Sequence, residues 1–271
     1  VLRPSRSRQP SGRRRGMRPL NVTLQQHNQS RFRVIVRPHM TGGRDLRRQA
    51  NQVADRNLTW QQLQPREHRW RVLGQRPVIA WLTGLSGAGK STIASQVDRA
   101  LTRAGRATMV LDGDNLRHGL NSDLHFTESD RAENVRRAAE TGKLMADAGL
   151  ITIVSLISPS RAEREAARII AGDIAFLEVF VDTPLRICEA RDPKGLYGRA
   201  RSGAIPNFTG ISAPYEAPLK PDLTLATAGE TIATSAQPLI DMLMRLSVPS
   251  SRRAGSSSPK PLRSAISDLH C

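Results

Sequence analysis

From Pro77 onward, apolar runs of strand length alternate with helix-length segments. The runs are VIAWLT (78–83), ATMVLD (107–112), ITIVSLI (151–157), FLEVFVD (176–182) and LTLAT (223–227). They are nearly continuous in apolar residues, which is the pattern of strands covered on both faces. Strands of that kind, separated by helices, predict an α/β fold: a parallel β-sheet flanked by helices on both faces. STIASQVDRALTRAG reads as a helix after the first run. Residues 129–149 put Ala132, Val135, Ala139, Leu144 and Ala148 at helical spacing and end at Gly149. SRAEREAARII opens with Ser160 and carries Glu163 three residues later, the spacing of a capping box. A last helix is expected over about 230–246. Residues 192–221 have no clear period and are rich in Gly, Pro and Lys/Arg. A long irregular stretch inside a compact domain is expected to be a mobile lid or binding loop.

Charge changes the reading of the two ends. The formal net charge is +17, but residues 73–245 hold 20 basic and 20 acidic residues, while residues 1–72 hold 17 basic against 3 acidic. The regular domain is therefore neutral. The arginine-rich flank has no aromatic residue in its first 30 positions, so it is expected to bind nucleic-acid phosphates at most without sequence preference. Its first 44 residues lack acids, as transit peptides do, yet have no apolar periodicity, and Met17 lies just downstream of Val1. A transit segment and a misassigned start both stay open. The only cysteines are Cys188 and Cys271; they make no disulfide framework and no metal spacing, which favours a reducing, cytoplasmic setting. No apolar run approaches the roughly 20 residues of a membrane span. The expected organisation is a basic, largely disordered arm (1–55), a lead-in (56–76), one domain (77–246) and a Ser/Pro/Arg-rich disordered tail (247–271).

The segment GLSGAGKS, Gly84 to Ser91, fits G-x-x-x-x-G-K-[ST] between an expected strand and an expected helix. Glycines let successive N–H groups face phosphate oxygens, and the helix N-terminus adds partial positive charge. Gly84, Leu85, Ser86, Gly87, Ala88, Gly89, Lys90, Ser91 and Thr92 are thus expected to hold a nucleoside triphosphate, which the family resemblance given below makes ATP. Lys90 reaches the β/γ-phosphates, and the Ser91 hydroxyl binds Mg²⁺. No NKxD segment follows, which speaks against a GTPase, and the chain is short for a motor ATPase. A small phosphotransferase remains. Asp112 and Asp114, in LDGDNLRHGL, fall at the carboxyl end of the second expected strand, where ligands bind in open α/β sheets. One carboxylate there can orient Mg²⁺, through water, or take a proton from an acceptor hydroxyl. Arg117 can hold an anionic group.

With these motifs the chain resembles the adenylylsulfate (APS) kinase family. The matching segments are GLSGAGKST, LDGDNLRHGLN, DRAENVRR, ADAGLITIVSLISP, VFVDTPLRICEARDPKGLY and NFTGISAPYEAP, in order over about 79–221. The resemblance implies a P-loop kinase fold and transfer of the ATP γ-phosphoryl group to the 3′-hydroxyl of adenosine 5′-phosphosulfate (APS). It implies acceptor binding by Asp114, Arg117, Phe126, Arg131, Asn134, Ile157, Ser158, Lys194 and Phe208, with the two Phe rings stacking on a purine. It makes Lys90 and Asp112 catalytic, Ser158 the residue credited with carrying phosphate, and Arg191 a stacking partner for the ATP adenine. Direct transfer needs no protein nucleophile. Departures from the family pattern are Gly198 and Arg199 in the lid, Ser212 for Asp, His125 for Gly and Leu156 for Phe. The lead-in also resembles the family's, with Trp60 and Trp70 packing on the core or on a second subunit. RPHMTGGRDLRRQANQ is similar to the end of an ATP sulfurylase subunit, so derivation from a bifunctional fusion, a sulfurylase partner and a homodimer are expected. The alternative is a non-catalytic nucleotide-binding subunit docked on an ATP sulfurylase. Intact Lys90, Ser91, Asp112 and Asp114 argue against it.

Overall fold

The computed structural model describes residue 61 and residues 63–249; the expected arm, Trp60 and nearly all of the expected tail lie outside the described residues. In chain order the elements are α1 (Arg66–Leu73), β1 (Val78–Thr83), α2 (Lys90–Arg103), β2 (Thr108–Asp112), α3 (Gly113–Arg117) and α4 (Glu128–Asp147). They continue with β3 (Ile151–Ser155), α5 (Arg161–Ala171), β4 (Ala175–Asp182), α6 (Leu185–Arg191), α7 (Leu196–Arg201), β5 (Leu223–Ala226) and α8 (Ile232–Leu246).

The five strands form one sheet in the order β2-β3-β1-β4-β5, and every pairing is parallel. β1 is central, with Val78 opposite Ile151 on one side and Ala175 on the other. All six of its residues are buried, because side chains alternate between faces and both faces are covered. Val78, Ala80 and Leu82 enter a core with Ile93, Val97 and Leu101 of α2 and Leu239 and Leu243 of α8. Ile79 and Trp81 enter the opposite core, with Val135, Ala138 and Ala139 of α4 and Ala167 and Ala171 of α5. Trp81 also stacks on Phe176 of β4, with ring centroids 5.9 Å apart. The predicted parallel sheet between two helical layers is what the structure has.

From β1 the chain crosses to β2 on one side of the sheet and later to β4 on the other. The carboxyl end of β1 therefore faces a switch point, the place where open α/β sheets form a ligand crevice.

Two expectations need correction. The capping box at Ser160 does not form: Ser160 is the N-cap of α5 but makes no side-chain cap, and the Arg161 N–H donates instead to Glu216 Oε2 at 2.7 Å. That amide is the first of the helix and not one a capping box uses, so Glu216 closes a different open donor of the same turn. Residues 192–221 are also not irregular throughout, because they contain α7. The Asp192 carboxylate accepts from the N–H groups of Leu196, Tyr197 and Gly198 at 2.8–3.2 Å, closing the open donors of that short helix.

Trp70 settles onto the core. Its indole N–H donates to the Ala146 carbonyl at 3.2 Å, and a Cβ at Gly149 would come within 3.2 Å of its ring. Arg66 pairs with Asp147 and Asp173. Gln75, which the sequence reading passed over, is 1% exposed and fully used. Its amide donates to Ala107 O and Gly149 O, both at 2.8 Å, and accepts from Ala107 N at 2.9 Å.

Candidate active site

The phosphate loop leaves β1 at Gly84 and enters α2 at Lys90. Glycine is required at its entry: Gly84 has φ +151°, and a Cβ there would stand 2.6 Å from the Val181 carbonyl oxygen. Gly87 has φ +73°, and its Cβ would stand 2.9 Å from Cys188 O. At these two positions the loop is therefore pressed against β4 and α6, and a side chain at either could not be added without moving backbone.

Lys90 is buried. Its Nζ donates to Gly84 O at 2.9 Å and to Leu85 O at 2.7 Å, curling back over its own loop. Burial lowers its pKa from 10.5 to about 8. The ammonium is thus held by carbonyls of the loop, a short side-chain rotation from any phosphate seated there.

Three residues that the sequence reading did not single out brace this loop from behind. Thr183 Oγ1 and Thr227 Oγ1 lie 2.6 Å apart and each lies 3.0 Å from Ala88 O, so one hydroxyl donates to the carbonyl and the other to its partner hydroxyl. The Tyr197 hydroxyl donates to Ser86 O at 2.8 Å. Arg191 joins them: its guanidinium donates to Thr227 Oγ1 at 3.0 Å and Thr227 O at 2.7 Å. Cys188, buried between these groups, donates to Thr183 O at 3.6 Å. Thr183 and Tyr197 lie in the segment VFVDTPLRICEARDPKGLY, but their reach to the loop has no local spacing to announce it, because their partners on the loop are far away in sequence.

Asp112 does two jobs at the end of β2. Its Oδ1 accepts from Asp114 N at 3.0 Å and so caps α3. Its Oδ2 accepts from Ser91 Oγ at 2.6 Å, and Ser155 Oγ at the end of β3 lies 3.4 Å from the same hydroxyl. The ends of β2 and β3 and the start of α2 thus meet at Ser91. This donor set is all oxygen, which suits a hard cation such as Mg²⁺ that keeps most of its ligands as water and phosphate. Among the described residues no cluster of three or more His, Cys, Asp or Glu could hold a metal by itself.

Beyond Asp112 lie the residues expected to take the acceptor. Asp114 pairs with Lys194, joining α3 to the stretch just before α7. Arg117 donates to Leu124 O at 3.1 Å and His125 O at 3.0 Å, and its guanidinium lies 4.5 Å from the Phe126 ring centroid. Phe126 is 66% exposed, whereas Phe208 is 9% exposed and packs edge-on against Tyr197 at 5.1 Å. Phe208 is thus a core anchor as well as a candidate purine contact. Arg131 spans the two aromatic segments, donating to Phe126 O at 3.1 Å, to Thr209 Oγ1 at 2.8 Å and to Asn207 O. Asn134 is buried, and its Oδ1 accepts from the buried amide of Asn121 at 3.0 Å.

Ile157 and Ser158 form the turn after β3. Ser158 is 3% exposed, and its φ of +38° is unusual for a residue with a side chain. Its hydroxyl accepts from the Trp81 indole at 3.1 Å, and Ile157 O accepts from Thr83 Oγ1 at 2.7 Å. The departures from the family pattern have local roles here. Ser212 Oγ accepts from Phe208 N at 2.9 Å, and Leu156 fills the space beside Gly113, where a Cβ would lie 2.7 Å from its Cδ2.

A family model described as adenylylsulphate kinase matches residues 76–226. The chain belongs to the adenylylsulphate kinase family. Within it, the adenylyl-sulfate kinase of Shewanella oneidensis is 52% identical over 201 residues, covering 74% of this chain and 98% of that protein. The bifunctional enzyme NodQ of Rhizobium sp. (strain N33) is 56% identical over 188 residues, which are 69% of this chain but 28% of NodQ. Among solved structures, the Mycobacterium tuberculosis APS kinase CysC in complex with AMPPNP and APS is 51% identical. It aligns with a TM-score of 0.61 over 62% of this chain and 98% of that one. Among the described residues no helix is long and apolar enough to cross a membrane.

Proposed function

We propose that this chain transfers the γ-phosphoryl group of MgATP to the 3′-hydroxyl of adenosine 5′-phosphosulfate, a step of sulfate activation, and works in the cytoplasm. One observation carries the reading: Ser91 of the phosphate loop meets Asp112 at 2.6 Å, and Asp114, two residues on, opens the acceptor side. Donor loop and acceptor pocket share one edge of the sheet.

In this reading the loop amides from Gly84 to Ser91, with Thr92, bind the triphosphate. Lys90 leaves its loop carbonyls for the transferring phosphoryl group, where its charge counts most. Mg²⁺ fits beside Ser91 Oγ and the Asp112 carboxylate and would supply charge neutralisation on the phosphate oxygens. Asp112 is also within reach of an acceptor hydroxyl proton. Arg117 and Arg131 offer planar cations to the phosphosulfate, while Phe126 and Phe208 flank the purine. Asn134, the Ile157–Ser158 turn and Lys194, released from Asp114, complete the acceptor contacts. Arg191 lies beside the loop for the ATP adenine, and the 192–221 segment closes over both substrates as a lid.

The test is ADP release by the purified protein with MgATP, with and without adenosine 5′-phosphosulfate. Acceptor-dependent release with formation of the 3′-phosphorylated product is expected; release indifferent to the acceptor would reject the reading. NodQ is bifunctional, and this chain spans 28% of it, which supports an ATP sulfurylase as partner. Light scattering of the chain alone, then with a sulfurylase, reads that partnership and the proposed homodimer.

A further inference from the structure

Arg164 has no part in any of the motifs above, yet it is 2% exposed and carries a full charge into the core beneath the acceptor turn. Each arm of its guanidinium has a different customer. Nε donates to Glu178 Oε1 on β4 at 2.6 Å, one terminal nitrogen donates to Ser158 O at 2.6 Å, and the other donates to Glu216 O at 2.7 Å. One side chain therefore ties the turn after β3, the strand β4 and the far end of the 192–221 segment.

The tie lands where the backbone is least comfortable. Ser158 occupies the left-handed region, which a residue with a Cβ keeps only when its surroundings hold it there. Its surroundings are the Trp81 indole on its hydroxyl and Arg164 on its carbonyl. The same knot continues outward. Glu216 N donates to Pro159 O at 2.9 Å, and the Tyr215 hydroxyl is 2.9 Å from Thr83 Oγ1, which in turn holds Ile157 O. The Tyr215 ring lies 6.0 Å from the Arg164 guanidinium and stacks on Phe180. The end of the lid and the acceptor turn are thus one rigid unit, with Arg164 at its centre.

We infer that Arg164 is a positioning residue for the acceptor: it sets the Ile157–Ser158 turn and fixes the end of the lid to it, without touching either substrate. The inference rests on the proposed kinase reaction and adds to it a determinant of acceptor affinity that is separate from nucleotide binding. The phosphate loop is braced by Thr183, Thr227 and Tyr197, none of which contacts Arg164 by a hydrogen bond, so the nucleotide side does not depend on the knot.

The test is Arg164→Lys, which keeps the charge but replaces a planar fork by a point donor. With the full chain and MgATP, KM for adenosine 5′-phosphosulfate is expected to rise roughly tenfold or more while KM for ATP stays within about twofold. A general loosening of the fold would raise both together, and that result, or an unchanged acceptor KM, overturns the inference. Arg164→Lys in a Ser158→Gly background adds a second reading: glycine tolerates the left-handed turn, so the penalty of the lysine is expected to shrink severalfold. An equal penalty in both backgrounds also overturns it. If Arg164→Lys does not fold, Glu178→Gln keeps an oxygen for Nε while removing the charge pairing. A two- to fourfold rise in acceptor KM alone is then expected, and no rise rejects the inference. A wild type that ignores the acceptor would remove the kinase reading and this inference together; an active wild type with indifferent variants removes the inference alone.

Discussion

The phosphate loop and the acceptor side meet at Ser91, but their polar groups are satisfied in different ways. On the loop side the partners are buried and internal: Lys90 on Gly84 O and Leu85 O, and Thr183 and Thr227 on Ala88 O. On the acceptor side, the cations are held by groups that a ligand would displace or outbid. Lys194 sits on Asp114 with both side chains more than half exposed, Arg117 sits on two loop carbonyls, and Phe126 lies open. A triphosphate offers a run of anionic oxygens that backbone amides can bind in one geometry, so a rigid cradle can be built before it arrives. The acceptor must enter and its product must leave. Its expected contacts therefore mix exposed side chains with ones held firmly below, among them Phe208, the Arg164 knot and the Asn121–Asn134 pair.

The largest effect should come from the rigid half. Lys90→Ala is expected to lower kcat by about 10²–10³ or more, because the removed charge acts on the transferring group in a site shielded from water. The fold should survive, since Lys90 makes its hydrogen bonds only to its own loop. A melting curve beside single-turnover rates checks both parts; a variant retaining a tenth of the wild-type rate would show that the loop works without its lysine.

The acceptor half should answer more weakly and in a different constant. Arg131→Lys loses the fork that joins Phe126 O, Thr209 and Asn207. A rise of about 30- to 100-fold in KM for adenosine 5′-phosphosulfate is expected, equivalent to about 2–3 kcal/mol for a charge-assisted pair, with little change for ATP. Equal changes in both constants would mean that the two halves are not separable.

The same contrast decides what the sequence could disclose. The strand at 78–83 was legible because all six of its residues are buried, and GLSGAGKS was legible because phosphate binding by backbone forces a local spacing of glycines. Asp112, Asp114 and Arg117 were legible because they sit within six residues at a strand end. The braces were not. Thr227 reaches back 139 residues to Ala88, and Arg164 gathers a carboxylate and two carbonyls from three separate elements. A threonine or an arginine in such a place has no local signature. The capping box at Ser160 does not form, and the tertiary bond that does close part of that helix end, from the Arg161 N–H to Glu216 55 residues away, has no local signature either.

A pH titration sharpens the rigid half further. Burial puts the Lys90 pKa at about 8 in the free protein, below its ordinary 10.5. A bound triphosphate favours the charged form and raises that value. ATP affinity should therefore be full below pH 8 and fall about tenfold per pH unit above it. The stability of the ligand-free protein should move the other way. Between about pH 8 and 10.5 the unfolded chain holds the proton that the folded lysine has lost, so this group makes stability rise with pH. Titration calorimetry and melting curves over pH 7–10, with Lys90→Arg as control, test the opposed slopes; parallel slopes would assign the titration to another group.

The smallest effect is expected at Ser158, where the two halves come closest to sharing a residue. If phosphate passed through a phosphoserine, Ser158→Ala would abolish turnover and the kinetics would be ping-pong. Direct transfer is the expected outcome. Ser158 is 3% exposed, its hydroxyl accepts from the Trp81 indole at 3.1 Å, and among the described residues no carboxylate or imidazole is hydrogen-bonded to it. Its carbonyl is held by Arg164, which fixes the backbone of the turn. In the proposed reaction Lys90 and a bound Mg²⁺ would neutralise the anionic transferring group, with Asp112 as the base or metal orienter, so a serine step would add nothing that is missing. Ser158→Ala should then keep measurable kcat, and lose about 1 kcal/mol of acceptor binding from one hydrogen bond and the orphaned Trp81 N–H. Labelled ATP without acceptor should leave no phosphate on the protein. A phosphoserine at 158 that forms and decays as fast as turnover would place the serine in the reaction path and erase the division between a rigid donor half and an adjustable acceptor half.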